Sequence, residues 1–191
     1  MRKLIFQQWL SMDGYAADAD DSPKFLESTT LNKYSDVEQL RFLDGIDAIL
    51  LGANTYRLFY EFWPGATNDL EVIADRLNSL PKYIFSKRLS AAPWGKWPAA
   101  TIIREDAVSA VQKMKATQGK DIVLWGSISL AQSLIRADVI EEYQFRICPV
   151  VLGKGRPMFE NMAEMNFELN ATRPYDSGLL YVSYRRKASA L

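Results

Sequence analysis

No histidine occurs anywhere in the 191 residues, which removes Ser-His-Asp and Cys-His triads, imidazole general acids and imidazole metal sites at once. Cysteine is nearly as scarce. The one thiol, Cys148, permits neither an intrachain disulfide nor a thiolate zinc cluster, and its place before Pro149 in an apolar run reads as a buried structural thiol. Net charge is missing too: 23 basic residues balance 23 acidic ones, so no field gathers a nucleic acid or an anionic membrane. No apolar run reaches the roughly 18 to 20 residues that cross a bilayer. The opening MRKLIFQQWL is broken at Gln7 and Gln8 and reads as a first strand, not a signal. A cytoplasmic protein is the expectation, with neither nucleic acid nor membrane as partner.

What is present is an ordinary core-forming composition, 48% hydrophobic and 12% aromatic, sufficient for a single domain over residues 1–191. Residues 3–10 are apolar and β-forming and end at the Asp13-Gly14 turn. After a polar loop over 18–28, Ser35-Asp36-Val37-Glu38 reads as an N-cap opening a short amphipathic helix that Gly45 closes. Residues 47–52 form a continuous apolar run, the pattern of a strand covered on both faces. A helical stretch is expected after Thr55-Tyr56, another over 70–80, and strands over 83–85 and 101–103. The next helix runs from Ala107 towards Gly119, and residues 122–125 form a buried strand. There Gly126-Ser127 leads straight into a helix carrying Ile128, Leu130, Ala131, Leu134 and Ile135. From Glu141 the pattern becomes alternating, with strands over 143–147, 167–172 and 179–185, the last two joined by Asp176-Ser177-Gly178. The sum is an α/β fold with a mixed, mostly parallel sheet between helical layers and a carboxyl-terminal antiparallel hairpin.

Three glycine-bearing joins have the character of anion seats: Gly52 with Thr55, Gly126 with Ser127 and Ser129, and the pair Gly153 and Gly155. Glycine lets backbone N–H groups approach closely, and a helix N-terminus supplies unpaired donors. Plain turn chemistry accounts for each alone, since neither a Walker A loop nor a GxGxxG fingerprint is present.

Their order along the chain resembles the dihydrofolate-reductase-like superfamily, closest to the reductase domain of bacterial riboflavin biosynthesis and its stand-alone relatives. The resemblance rests on Ser11-Met12-Asp13-Gly14, on residues 47–56 (DAILLGANTY), on residues 122–127, on residues 138–142 and on residues 149–159 (PVVLGKGRPMF). It implies a homodimer-forming reductase that holds NADPH across the carboxyl ends of the central strands and passes hydride to a small pteridine- or pyrimidine-type substrate, most like the 5-amino-6-(5-phosphoribosylamino)uracil of riboflavin biosynthesis, whose ribose is reduced to ribityl. Under it, Thr55 and the N–H groups around it at Gly52, Ala53 and Asn54 meet the pyrophosphate from one side and Gly126, Ser127 and Ile128 from the other, while Trp125 either stacks on the cofactor or narrows its seat. Ser86, Lys87 and Arg88 neighbour the adenosine 2′-phosphate. The family usually places arginine where Ala53 stands and a glycine pair where Trp125-Gly126 stands.

Reducing a C=N or C=O bond also requires a proton. Asp36 is the first candidate, at a spacing from Gly52 like that between the catalytic acid and the matching glycine of dihydrofolate reductases; an N-cap role explains it equally. Asp13 is the second, set against ordinary Asp-Gly turn chemistry. Trp9, Trp63, Trp94 and Trp97 are either pocket walls or core anchors, and Lys154 and Arg156 either take a substrate phosphate or form a solvated turn. Two other readings stand beside the reductase: a non-catalytic binding module of the same fold, and a dihydrofolate reductase proper.

Overall fold

The computed structural model describes residues 1–26 and 33–187, with the side chains of 33–35 left out. Among these residues the chain forms β1 (Leu4–Ser11), β2 (Tyr15–Ala17), α1 (Lys33–Asp44), β3 (Ile46–Gly52), α2 (Ala53–Phe62), α3 (Ala74–Ser79), β4 (Lys82–Phe85) and β5 (Thr101–Ile103). It continues through α4 (Ala107–Ala116), β6 (Asp121–Trp125), α5 (Ile128–Arg136), β7 (Glu142–Cys148), β8 (Arg156–Pro157), β9 (Phe167–Pro174) and β10 (Leu180–Arg186).

Eight strands make one sheet in the order β5-β4-β3-β6-β1-β7-β10-β9. β1 is parallel to β6 and β7, and β3 is parallel to β4 and β6, while β10 pairs antiparallel with β7 and β9. The apolar runs of β3 and β6 are continuous because both faces are covered. Leu50, Ile122 and Leu124 turn towards α4 and α5 with Leu4, Phe6, Val111, Leu134 and Ile135. Ile49, Leu51, Val123 and Trp125 turn the other way, towards Leu43, Tyr56 and Leu77 of α1 to α3. Burying such a side chain contributes about 1.5 to 3 kcal/mol, so the alternation of faces fixes the register of the central strands.

The order of strands also makes a crevice. β3, β4 and β5 step outward, β6 returns to fill the slot between β3 and β1, and β7 continues on the far side of β1. Ligands in open α/β sheets bind beyond the carboxyl ends of strands at such a switch.

Several boundaries differ from the sequence pattern. α1 begins at Lys33, so Asp36 lies inside its first turn and does not cap it; the backbone already turns helical before the Ser35-Asp36 pair. α2 starts at Ala53, ahead of Thr55, directly from Gly52. α3 keeps only six residues of the expected stretch, because Thr67 to Ile73 closes into turns whose carbonyls take the amides of Leu70, Glu71 and Ala74. The two-stranded sheet of β2 and β8 was not expected. It brings Gly155 so close to the carbonyl of Ala17 that an added Cβ would stand 2.2 Å away. The polar loop reaches Leu26, and residues 27 and 28 lie outside the described ones.

Candidate active site at the carboxyl ends of the central strands

A cleft of about 730 Å³ opens where β1, β3, β4 and β6 end. Gly52, Ala53, Asn54 and Thr55 line one wall and Trp125, Gly126, Ser127 and Ile128 the adjoining one. These are the starts of α2 and α5, and neither helix has a side chain capping its first amides. Unpaired N–H groups and the positive ends of two helix dipoles therefore face a common space.

The two starts are locked together by Ser127. Its Oγ accepts the Gly52 N–H at 2.8 Å and donates to the Trp125 carbonyl at 2.9 Å, while its own N–H donates to Thr55 Oγ1 at 3.0 Å. Ser127 sits at φ 60°, directly after Gly126 at φ 52°. A non-glycine residue there costs about 1 to 2 kcal/mol, which these three bonds offset. Thr55 uses a lone pair on Ser127 and keeps its O–H proton for another acceptor. A Cβ on Gly126 would meet Thr55 Cγ2 at 3.4 Å and Gln8 Oε1 at 3.5 Å, so the glycine keeps this corner of the wall open.

Behind Trp125 lies a polar row that sequence reasoning missed. Trp125, Gln7, Gln144 and Ser183 stand in one register line across β6, β1, β7 and β10. The Trp125 indole N–H donates to Gln7 Oε1. Gln7 Nε2 donates to Gln144 Oε1 at 2.6 Å and to Gln39 Oε1 at 3.2 Å, and Gln39 Nε2 returns a bond at 2.7 Å. Glu142 closes the row, accepting from Gln144 and Ser183. Arg146, only 6% exposed, donates to Gln39 Oε1 at 2.8 Å and lies over the rings of Trp9 and Tyr181 at 5.5 and 5.7 Å. Burial lowers its guanidinium affinity for protons from the usual value, and Tyr175, Tyr181 and Asp36 oppose that. No local motif marks this network, because its members are neighbours only once the strand order is known.

Of the two candidate acids, Asp36 lines the cleft, half-buried on α1. Burial pushes its carboxyl above the ordinary range and Arg146 partly counters that. Glu71, which precedes α3 and was not singled out from sequence, lines the cleft as well; burial first and Asp36 second raise its carboxyl. Asp13 lies outside the lining. Its carboxylate accepts from Ser11 Oγ at 2.6 Å, Gly153 N–H at 2.8 Å and Leu152 N–H at 3.1 Å, bonds that hold it below the usual range, the one from Ser11 most. In this structure Asp13 fastens the 152–153 turn to the end of β1.

Ser86, Lys87 and Arg88 follow Phe85, which lines the cleft, but are not themselves in the lining. Ser86 Oγ accepts the amides of Arg88 and Leu89 at 3.2 and 3.1 Å, turning the chain so that Lys87 and Arg88 are exposed. Among the tryptophans, Trp9 and Trp63 line the cleft, whereas Trp94 is fully buried with its indole N–H on Asn78 Oδ1 at 2.7 Å. Trp97 packs beside it in the same core. Lys154 is exposed, and Arg156 reaches the first turn of α5, donating to Ser129 Oγ at 2.6 Å and to both Asp21 oxygens at 3.2 Å.

Comparison with known proteins gives a consistent picture. The family model described as the RibD C-terminal domain matches residues 2–181. YyaP, an uncharacterized protein of Bacillus subtilis (strain 168), is 32% identical over 146 residues, covering 75% of this chain and 76% of its own length. Among solved structures, a Shewanella sp. PV-4 protein linked to riboflavin biosynthesis superposes with a TM-score of 0.79 at 20% identity, over 97% of this chain and 99% of that one. A Thermotoga maritima diaminohydroxyphosphoribosylaminopyrimidine deaminase/5-amino-6-(5-phosphoribosylamino)uracil reductase gives 0.66 at 12% identity, over 97% of this chain and 57% of that one. Both likenesses are likenesses of fold.

Proposed function

Because the chain belongs to the family of RibD C-terminal domains, we propose that it is an NADPH-dependent reductase acting on a pteridine- or pyrimidine-type heterocycle, as the uracil reductase named for the Thermotoga protein acts on a pyrimidine. The observation that carries this reading is the pair of uncapped helix starts at Ala53 and Ile128, joined through Ser127 and Thr55 in one cleft that also holds the Asp36 carboxyl.

The residues present fit such a cofactor. The α2 and α5 amides suit a pyrophosphate, the Thr55 hydroxyl has a proton to donate, and the open corner at Gly126 admits a ligand against the backbone. Ala53 supplies no charge, so phosphate affinity rests on backbone donors, with Arg156 at the rim of α5. Trp125, with its indole N–H held by Gln7 and its ring 6.0 Å from that of Phe59, offers a fixed flat wall. Lys87 and Arg88, exposed just past Phe85, are the cations available to a 2′-phosphate.

When bound, NADPH supplies a hydride to the carbon of a C=N or C=O bond and leaves as NADP⁺. The nitrogen or oxygen of that bond takes a proton, and Asp36, whose carboxyl holds its proton to higher pH than an exposed aspartate, delivers it. The test is consumption of NADPH absorbance in a panel of pyrimidine and pteridine acceptors, with Asp36→Asn alongside. Turnover with at least one acceptor, lost in the variant, is the expected result; binding of NADPH with no turnover on any ring would favour the non-catalytic module.

A further inference from the structure

Away from the helix starts, the cleft is walled by Trp9, Trp63 and Ile73 and receives three charged side chains, Asp36 from α1, Glu71 from the turn before α3 and Arg146 from β7. We infer that this part of the site takes a flat nitrogen heterocycle that carries no phosphate and presents N–H donors or a protonated ring nitrogen to the Asp36 and Glu71 carboxyls, with Glu71 as a specificity-determining residue. The inference rests on the reductase reading for the statement that this ring is the hydride acceptor, and on the geometry alone for the statement of charge.

The balance of charge is the first argument. Among the described residues lining the cleft the only cations are Arg146 and Arg156. Arg156 is engaged by Asp21 and Ser129, and Arg146 is buried, bonded to Gln39 and stacked between two aromatic rings. Two carboxyls stand against one committed guanidinium, an arrangement that repels a phosphate dianion.

Unused hydrogen-bonding capacity points the same way. Neither the Asp36 nor the Glu71 carboxyl enters a hydrogen bond or ion pair among the described residues, although both are half-buried. Acceptors taken partly out of water without partners are costly, and a ligand that brings N–H donors recovers the cost. Both acids line the one cleft, and Asp36 adds to the rise that burial gives the Glu71 carboxyl, which strengthens the demand for a donor or a positive charge beside them. Aromatic walls suit a flat ring and add attraction for a cationic one.

Benzamidine and phenyl phosphate, flat probes of opposite charge, test this in the 191-residue chain through the fluorescence of Trp9, Trp63 and Trp125. Benzamidine is expected to bind saturably and phenyl phosphate to fail to displace it. Glu71→Gln, nearly isosteric, is expected to weaken benzamidine about tenfold, the loss of one charge-assisted hydrogen bond, without changing NADPH affinity; circular dichroism controls for the fold. Absence of benzamidine binding, displacement by phenyl phosphate at comparable concentration, or an unchanged benzamidine affinity in Glu71→Gln would overturn the inference. Loss of NADPH binding with the benzamidine pattern intact would instead remove the reductase reading and leave the charge selectivity standing.

Discussion

Under the proposed function, Asp36 carries opposite demands from folding and from chemistry. Burial raises its carboxyl above the ordinary value, so the folded chain binds that proton more tightly than the unfolded chain does. Its favourable contribution is complete below the unfolded value and disappears as pH rises through the folded one. Above the folded value the ionised side chain is therefore a net cost, and Asp36→Asn is expected to raise Tm there while cutting turnover by about a hundredfold or more, the usual worth of a general acid. The pH profile gives a second check: wild-type turnover falls as pH rises through the Asp36 titration, and any residual turnover of the variant lacks that limb.

Lys82 makes the converse case. It is 4% exposed, donates to the carbonyls of Asn78 and Leu80 at 2.8 and 2.7 Å and lies 4.7 Å from the Trp94 ring centre. Burial brings its ammonium down to about 7. Between that value and the unfolded value the unfolded chain binds more protons, so stability rises with pH by up to about 1.4 kcal/mol per unit. Urea denaturation of wild type at several pH values above 7 is expected to show this rise, and Lys82→Met to flatten it. Residues of this kind are poorly legible in sequence: Asp36 was visible through its spacing from Gly52, whereas Glu71, Gln7 and Lys82 acquire their meaning from burial and from neighbours on other strands.

At the scale of elements, the site depends on how α2 and α5 begin. Thr55 accepts the Ser127 N–H, and Thr55→Val keeps the shape while removing both that acceptor and the hydroxyl proton. NADPH affinity is expected to fall about tenfold or more, the worth of one or two hydrogen bonds, with the melting temperature lowered only modestly. Gly126→Ala places a methyl 3.4 Å from Thr55 at a positive φ and is expected to weaken the cofactor without touching Asp36, a distinction that single-turnover rates at saturating cofactor would reveal. The strand-glycine-helix joins at Gly52 and Gly126 were legible because apolar runs end there on residues that free the backbone. The start of α1 was not, since Ser35-Asp36 has the chemistry of a cap and the helix enters from residues further upstream. The short pair β2 and β8 escaped notice because two or three residues show no periodicity.

For the whole molecule, a parallel core flanked by helices and followed by a hairpin could be inferred from the change in patterning after Glu141, but the strand order could not, and the cleft follows from that order. β6 inserted between β3 and β1 sets the two helix starts side by side, and β7 beyond β1 brings Arg146 and Gln144 behind the same wall. On the far side, β9 is an exposed edge strand carrying Leu169 at 57% exposure. Such an edge invites pairing, and we propose the homodimer through it; sedimentation should give a dimer that Leu169→Asp shifts towards monomer. The proposed preference for NADPH belongs to this scale as well, because Lys87 and Arg88 stand just past Phe85 at the edge of the cleft only through the position of β4 beside β3. Their joint replacement by alanine is expected to equalise the affinities for NADPH and NADH. Parallel titration of the wild-type protein with the two nucleotides, followed by tryptophan fluorescence, tests the central claim most directly. Saturable quenching by NADPH at concentrations where NADH has little effect is the predicted result, and an absence of binding by either nucleotide would contradict it.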